Sequence, residues 1–192
     1  IGILSAHPFI QTNEIVLDST TNRRGTLHAR IDAPNGPVDV FCTHLTADLA
    51  PLPYTGPEES WGAEQTLQIG ALRNWVDEQR GEGLAIWLGD FNTGPSGSGF
   101  NAELGDNYTL LADGWTTTYL DGSPDCTYCL DNPLIDGEGN GAVIDHVLID
   151  GLEDDAIVTA ERVLDQDIDI PACGETISAP PSDHYGVSVT IE

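Results

Sequence analysis

The stretch GTLHARIDAPNGPVDVFCTHL, residues 25–45, decides the fold because it contains two strands and the turn that joins them. Apolar side chains alternate with their neighbours on both sides of the turn: Leu27, Ala29, Ile31, Val38, Val40 and Cys42. Period-2 alternation of this kind is typical of β-strands. Asn35-Gly36 between the two halves is a strong signal for a tight turn. Residues 25–45 are therefore predicted to form a β-hairpin that ends at His44.

The rest of the chain adds one clear helix and several short strands. Residues 60–80 carry apolar side chains at helical spacing, and Gly81 and Gly83 follow as stop signals. Residues 84–90 begin as an apolar run that is too short for a helix, so they are predicted to form a buried strand ending at Asp90. Further strands are predicted over residues 1–6, 14–18, 143–149, 155–163 and 185–191. A loop is predicted over the Pro- and Gly-rich residues 46–59, and residues 93–142 are predicted to be rich in loops, with a helical turn or two near 107–112.

Length and composition fit a single folded domain over residues 1–192. A chain of 192 residues, 40% of them hydrophobic, is long enough to bury a substantial core. No apolar run approaches the roughly 18 residues that a membrane-spanning helix needs. No transmembrane segment is therefore predicted.

The charge balance is extreme, with 32 acidic residues against six basic ones and a formal net charge of −26. All six basic residues are arginines. Dense carboxylates keep a protein surface hydrated in salt, so a halophilic or marine source would explain this composition. The same charge argues against a broad nucleic-acid footprint, which needs clustered Lys and Arg. A nuclease stays compatible with it, because a bound divalent cation supplies local positive charge.

The four cysteines favour a disulfide over a zinc site. Cys126 and Cys129 have the spacing of half a zinc site, but the sequence offers no second ligand pair at a suitable distance. A disulfide in a secreted, extracellular protein is the preferred interpretation. Both Cys126–Cys129 and Cys126–Cys173 are open as pairings. Cys42 lies in an apolar strand and is predicted to be a buried free thiol.

Polar side chains able to do chemistry stand at the ends or starts of predicted strands: His44, Asp90, Asn92, Asp145, Asp183 and His184. Phosphodiester hydrolysis needs a hard cation, a base that activates water and donors for the charge that develops at phosphorus. Carboxylates are suitable ligands for Mg²⁺ or Ca²⁺, and an Asp that holds a His orients the imidazole and raises its basicity. Each motif alone has a structural explanation, because Asp and Asn are ordinary turn residues after a strand. Their joint occurrence favours a phosphoesterase site.

Four motifs give the chain a resemblance to the endonuclease/exonuclease/phosphatase superfamily, which includes deoxyribonuclease I-like nucleases, neutral sphingomyelinases and inositol-phosphate phosphatases. They are Cys42-Thr43-His44-Leu45, Leu88-Gly89-Asp90-Phe91-Asn92, Ile144-Asp145-His146-Val147-Leu148 and Ser182-Asp183-His184-Tyr185-Gly186-Val187. The resemblance implies an α+β fold, a four-layer α/β sandwich in which two mixed sheets pack face to face between helices. It also implies a divalent-metal-dependent phosphoesterase that hydrolyses a phosphodiester of a nucleic acid or a phospholipid head group.

The resemblance assigns a role to each motif residue. It implies that His184 is the base or transition-state stabiliser and that Asp145 orients it. Asp90 and Asn92 are implied to contact the phosphate and the attacking water or leaving group, and His44 to contact the scissile phosphate. The implied cofactor is Mg²⁺, or Ca²⁺ or Mn²⁺ in its place. The implied metal-side residues are Asp183, Asp90 and Asn92.

The superfamily also has two upstream strands, which carry a metal-contacting Asn and the main metal-ligand Glu. The motifs of this chain correspond to the part that follows those strands. We therefore expect the N-terminal strands to be missing from these 192 residues and a separate segment or second chain to complete the fold. The alternative is a non-catalytic extracellular relative with a structural, adhesive or filament-forming role.

Four other polar residues receive structural interpretations. His28 is predicted to lie on the solvent side of its strand. Arg23 and Arg24 are predicted to belong to a solvated turn. His146 is predicted to point to the sheet face opposite to that of its neighbour Asp145, and thus to lie outside the site.

Overall fold

The computed structural model describes residues 1–122, 124–135, 137 and 139–192. Ser123, Asp136 and Glu138, which fall in the predicted loop over 93–142, lie outside the described residues. The elements in chain order are β1 (Phe9–Leu17), β2 (Arg24–Ala33), β3 (Gly36–His44), α1 (Trp61–Gln79), β4 (Ala85–Asp90), β5 (Phe100–Asn101), α2 (Gly105–Ala112), α3 (Thr118–Asp121), β6 (Gly141–Ala142), β7 (Asp145–Asp150), β8 (Val158–Val163), β9 (Ile168–Ala172), β10 (Glu175–Ala179) and β11 (Gly186–Ile191).

The central sheet has five strands in the order β1-β2-β3-β4-β7. Neighbours are antiparallel except β3 and β4, which are parallel and connected through α1. The predicted hairpin is confirmed as β2 and β3, with the turn at Pro34-Asn35 and Gly36 opening β3 at a φ of 120°. A positive φ at that place favours glycine, which explains why the turn signal reads Asn-Gly.

Helix α1 covers one face of the central sheet and forms the main core with it. The Ser60 hydroxyl caps the helix by accepting a hydrogen bond from Ala63 N at 3.1 Å. The helix ends at Gln79, as the glycines that follow it predict. Burial of large apolar side chains contributes roughly 1.5–3 kcal/mol each, so this layer supplies most of the stabilisation that positions the sheet. Its fully buried members include Phe41, Leu45, Ile69, Leu72, Trp87, Phe91, Leu111 and Leu148.

A second layer is built around the antiparallel pair β8 and β11. Its apolar cluster contains Phe100, Tyr119, Cys126, Cys129, Val143 and Tyr185. Mixed sheets with helices packed beside them confirm the predicted α+β sandwich class. Within the described part of the chain, no helix combines the length and the apolar character needed to cross a membrane.

Two strand predictions differ from the structure. Residues 1–6, all within the described ranges, form no strand, and the first strand spans Phe9–Leu17 instead of 14–18. Ile1 and Leu4 are 64% and 100% exposed, so this segment packs against too little surface to be held in a ladder. The sequence prediction also lacks the hairpin of β9 and β10, because Pro171 and acidic side chains weaken its strand signal.

The polar face of β2 is buried, and the prediction that His28 faces solvent is wrong. His28 is 1% exposed, lies 4.6 Å from the Phe41 ring centre in a stacked arrangement, and places Nε2 2.8 Å from Asp39 Oδ1. Arg30 donates to both oxygens of Asp39, from Nε and Nη2, at 3.0 Å each. Polar groups can enter a core when they are hydrogen-bonded to one another. Cross-strand pairing between β2 and β3 therefore allows this face to lie under α1.

His146 is a second buried histidine, and its ring is hydrogen-bonded to the backbone. Its Nε2 is 2.8 Å from the Thr93 carbonyl oxygen, to which it donates. Complete burial disfavours the imidazolium and lowers the pKa of His146 to about 4, against the opposing effects of that hydrogen bond and of Asp90. The native state therefore holds this ring neutral.

Stability is expected to fall between pH 6.5 and 4 because of His146. In the unfolded chain a histidine takes up a proton near pH 6.5, while the native ring stays neutral down to about pH 4. The unfolded state thus binds the extra proton first, and the stabilisation present above pH 6.5 declines by roughly 3 kcal/mol by pH 4. Urea unfolding at pH 7 and at pH 4.5 measures this loss. His146→Gln is the matched control, and an identical pH dependence in both proteins would contradict the assignment.

Candidate active site

Backbone register brings three of the candidate residues together at one edge of the central sheet. His44 is paired with Asp90 across the parallel strands β3 and β4, and Asp90 is paired with Asp145 across β4 and β7. Residues that are directly opposite each other in a ladder point to the same face. The three side chains therefore form a row at the end of the sheet, with the Asp90 carboxylate in the middle.

His184 joins this row from the loop that precedes β11. Its Nδ1 lies 2.8 Å from Asp145 Oδ2, and its backbone N–H donates to the Ser182 hydroxyl at 3.1 Å. The buried Asn132 side chain fixes the same loop, because Nδ2 donates to the carbonyls of Ser182 and Asp183 at 3.1 and 3.3 Å. This pair of Asp145 and His184 is called the dyad below.

Electrostatics in the dyad favour a charged imidazole. Burial alone would lower the pKa of His184, but the hydrogen bond and charge of Asp145, together with the charges of Asp90 and Asp183, raise it to about 9. Burial and the nearby Asp90 carboxylate raise the pKa of Asp145, against the effect of its hydrogen bond with His184. Because Nδ1 carries the proton that Asp145 accepts, Nε2 is the nitrogen that is left to exchange a proton with a substrate or water.

Arg24 lies beside the other end of the row, and the prediction of a solvated turn is wrong for it. Arg24 is 8% exposed, and its Nη1 contacts His44 Nε2. The same His44 nitrogen is 3.2 Å from Asp90 Oδ2. Arg23 does lie in solvent, with its side chain 74% exposed. A buried guanidinium stays protonated, so Arg24 supplies a fixed positive charge next to two candidate phosphate-contacting residues.

The Gly-Asp-Phe-Asn segment is held by its own backbone and by α1. Gly89 has a φ of 138°, and a Cβ on it would lie 2.0 Å from the Thr43 carbonyl oxygen, so only glycine permits this approach of β4 to β3. Asn92 has a positive φ of 49°, and its Nδ2 donates to the Leu45 carbonyl at 3.0 Å. The buried Gln65 side chain donates to the Asn92 carbonyl at 3.0 Å. These contacts leave the amide oxygen of Asn92 as its one possible cation ligand.

The oxygen-rich row fits a hard divalent cation. One ligand atom from each of Asp90, Asp145 and His184 lies within 4.8 Å of the others. Carboxylate oxygens are the preferred ligands of Mg²⁺ and Ca²⁺. Asp183 is exposed, stands outside this group, and accepts a hydrogen bond from the Ser182 hydroxyl at 3.2 Å. Of the predicted metal-side residues, the structure thus brings Asp90 to the centre of the row and leaves Asp183 at its margin.

The prediction from sequence missed three residues that touch the site: Arg24, Thr127 and Tyr128. Arg24 is the first residue of β2 and lies on the same strand face as His28 and Arg30. A prediction that this polar face is buried would also have placed Arg24 in the interior. Thr127 accepts a hydrogen bond from Asp145 N, which is 18 residues away, so no local sequence pattern indicates this contact.

The Cys126–Cys129 pairing is the one that forms, with Cys42 buried and free as predicted and Cys173 exposed and free.

Solved structures with the same fold extend over nearly the whole chain. Truncated TDP2 from Caenorhabditis elegans has a TM-score of 0.67 at 18% identity, covering 96% of this chain and 66% of its own. Sphingomyelinase C from Streptomyces griseocarneus has a TM-score of 0.65 at 13% identity, covering 96% and 65%. An endonuclease/exonuclease/phosphatase family protein from Bacteroides thetaiotaomicron has a TM-score of 0.64 at 16% identity, also covering 96% and 65%.

At these identities the likeness establishes the fold, and the fold is the one that the four motifs predict. The chain spans about two-thirds of the length of each compared structure. No family model matches the sequence. No curated protein matches it either.

Proposed function

We propose that this chain carries the acid–base and phosphate-contacting part of a divalent-metal-dependent phosphoesterase, which hydrolyses a phosphodiester by in-line attack of activated water. The observation that carries the proposal is the 2.8 Å contact between His184 Nδ1 and Asp145 Oδ2 beside the Asp90 carboxylate. An imidazole held by a carboxylate is an arrangement suited to proton transfer. The shared fold with a sphingomyelinase C and with TDP2 supports the same reaction class.

The chain's own residues divide the work along the row. Asp145 fixes the orientation of His184 through Nδ1, so that Nε2 faces the reacting groups. The charged imidazole donates to developing charge, and it serves as a base once it has lost its Nε2 proton. His44 and Arg24 lie at the other end, where donors would bind a phosphate oxygen. Asp90 and Asn92 stand between them and would contact the phosphate and the attacking water or leaving group. Proton transfer and charge stabilisation are therefore assigned to different side chains.

A divalent cation, Mg²⁺ or in its place Ca²⁺ or Mn²⁺, would be held by Asp90 and Asn92, with Asp183 at the margin. Such a cation would neutralise phosphate charge and lower the pKa of a coordinated water. The acidic cluster of Asp90 and Asp145 supports cation binding, since two carboxylates within one row repel each other without one.

A further segment or second chain completes the fold in this proposal. Strand β1 has its one ladder partner in β2, so its other edge is free for pairing within the described part of the chain. Phe9, Ile10 and Val16 on β1 are 47%, 55% and 52% exposed. An apolar edge strand of this kind suits the addition of another strand, and such a segment would also bring the remaining metal ligands.

The substrate is a phosphate ester, and lipid head groups suit the surface better than nucleic acid. The net charge of −26 repels a polyanion. The hairpin of β9 and β10 ends four residues before Asp183, and it carries Ile168 and Ile177 at 50% and 51% exposure. Exposed apolar side chains on a hairpin that is close in sequence to Asp183 support an interfacial substrate. An extracellular location is supported by the disulfide, and a halophilic source by the dense carboxylates.

Removal of divalent metal is expected to abolish hydrolysis of bis(4-nitrophenyl) phosphate, because the carboxylate row cannot neutralise a phosphodiester by itself. The protein is assayed after EDTA treatment and after addition of Mg²⁺, Ca²⁺ or Mn²⁺. Sphingomyelin vesicles and plasmid DNA are compared under the same conditions to separate the two substrate classes. Metal-independent turnover at the full rate would refute the mechanism.

The second candidate is a non-catalytic relative with a structural, adhesive or filament-forming role. The exposed apolar edge of β1 is the observation that favours it, since such edges promote association. Absence of turnover on every phosphoester probe with each metal, together with concentration-dependent assembly, would select this alternative.

A further inference from the structure

The Cys126–Cys129 disulfide closes a short ring of chain next to the dyad. Between the two cysteines there are only two residues, Thr127 and Tyr128. Both of them touch the dyad or the backbone that carries it. The ring lies in a long connection between α3 and β6 that is poor in regular structure.

Thr127 links the two chain segments that supply the dyad. The side chain is fully buried, and its Oγ1 accepts hydrogen bonds from Ile144 N at 3.1 Å and Asp145 N at 3.2 Å. Its carbonyl oxygen accepts from Tyr185 N at 2.8 Å. Thr127 therefore fixes Asp145 on one side and the residue after His184 on the other.

Tyr128 covers the imidazole of the dyad. Its ring centre lies 5.1 Å from that of His184, with the planes tilted by 54°. Its backbone N–H donates to the Ala142 carbonyl and its carbonyl accepts from the Ala142 N–H, with N-to-O distances of 3.0 and 2.9 Å. A ring at this distance restricts the rotation of His184, so it favours the orientation in which Nδ1 meets Asp145.

The surroundings hold the ring of chain tightly. A Cβ on Gly141 would lie 2.1 Å from the Tyr128 carbonyl oxygen and 2.9 Å from Cys126 Cβ, so only glycine lets this neighbour pack so closely. Arg162 donates to the Cys126 carbonyl at 3.3 Å, pairs with Asp125 at 2.9 Å and lies over the Tyr185 ring at 4.7 Å. The disulfide is the one covalent element of this arrangement.

From these contacts we infer that Thr127 and Tyr128 are positioning residues for the dyad, and that the Cys126–Cys129 disulfide holds them in place, so that reduction of this disulfide releases the dyad. This inference rests on the proposed function for its catalytic consequence. In the reduction, a dithiol gives two electrons and two protons to the disulfide; the S–S bond becomes two thiols and the dithiol becomes a cyclic disulfide. Reoxidation is expected to restore the ring, because Cys126 and Cys129 are separated by only two residues and stay close to each other in the chain.

The direct test follows the dyad itself and needs no substrate. In ¹⁵N-labelled protein, the His184 Nδ1 proton that Asp145 accepts gives a low-field proton resonance, assigned by its loss in His184→Gln. Treatment with dithiothreitol is expected to shift or broaden this resonance, and reoxidation to restore it. Cys126→Ser/Cys129→Ser is expected to resemble the reduced protein, and Cys173→Ser the untreated one. A resonance unchanged by reduction and by the double substitution would overturn the inference.

The catalytic test compares turnover of bis(4-nitrophenyl) phosphate in the same samples. Reduction is expected to lower turnover roughly 10- to 100-fold, the loss that follows misplacement of a catalytic group by about 1 Å. Thr127→Val is expected to lose turnover to a similar extent, while Thr127→Ser, which keeps the hydroxyl, retains it. Thermal unfolding confirms that each protein is folded at the assay temperature.

The two tests separate failure of the inference from failure of the proposed function. If the oxidised protein hydrolyses no phosphoester, the proposed function fails and the His184 resonance alone decides whether the ring positions the dyad. If turnover is present and survives reduction unchanged, the inference fails and the proposed function stands.

Discussion

Replacing His184 by glutamine is expected to lower metal-dependent hydrolysis of bis(4-nitrophenyl) phosphate by about 10²- to 10⁴-fold, the usual contribution of a positioned proton-transfer group. Glutamine preserves much of the side-chain volume, but it cannot gain or lose a proton near neutral pH. The side chain at position 184, whose Nδ1 lies 2.8 Å from Asp145 Oδ2 in the native protein, would then provide no titrating nitrogen to the row. The effect should appear in kcat more than in KM, because the imidazole acts on the reacting groups.

Asp145→Asn tests the same pair from its other member. The amide keeps the shape of Asp145 but removes the negative charge that raises the pKa of His184. Turnover should fall in this variant as well, and the two substitutions together should cost little more than one, because the residues act as a unit. His7→Gln, at an exposed histidine far from the row in sequence, is the matched control. Retention of more than a tenth of the original rate in His184→Gln would contradict the assigned role.

Replacing Asp39 by alanine is expected to reduce the free energy of unfolding by about 1–3 kcal/mol, the cost of leaving a buried polar group without its hydrogen-bond partner. Asp39 is 4% exposed and accepts hydrogen bonds from Arg30, His28 and Gly81 N. Burial would raise the pKa of Asp39, but these hydrogen bonds outweigh it and lower the pKa. The alanine variant leaves His28 buried without its acceptor and Arg30 without its counter-charge.

Urea unfolding at pH 7 measures this loss, and Asp32→Ala is its control. Asp32 is exposed on the neighbouring strand β2, so its replacement should change stability by no more than about 0.5 kcal/mol. The lowered pKa of Asp39 also means that its stabilising contribution is complete at neutral pH and is lost as the pH falls through its native pKa. Equal stabilities for the two variants would show that the buried network is dispensable.

Local patterns predicted the hairpin and the helix well because each is encoded within a short window. Alternation and the Asn-Gly signal define β2 and β3, and helical spacing with a glycine stop defines α1. The inward face of β2 could not be predicted in the same way. Its polar residues look like a solvent face until Asp39 is seen to satisfy His28 and Arg30 across the ladder. Alternation shows that the two faces differ, but it does not show that the polar face is buried as well as the apolar one, which contributes Ala29 and Ile31 to the interior.

The residues of the candidate site also fall into two groups, those that local sequence patterns predict and those that they do not. His44, Asp90 and Asp145 stand at strand ends, where sequence reasoning can find them. Arg24 and Thr127 act on those residues from distant parts of the chain, 20 and 18 residues away. Contacts at that separation depend on tertiary packing, so no local pattern announces them.

The glycine at position 89 has a consequence for how this site tolerates change. Because the parallel ladder brings β4 so near the Thr43 carbonyl, any side chain there would push the two strand ends apart. Asp90 is the next residue, and its distance from His44 is set by that ladder. The distance between the His44 and Asp90 side chains is thus determined by main-chain geometry at Gly89, the residue before Asp90. A core that is repacked with similar volumes would keep the spacing, whereas a single methyl group at position 89 would alter it.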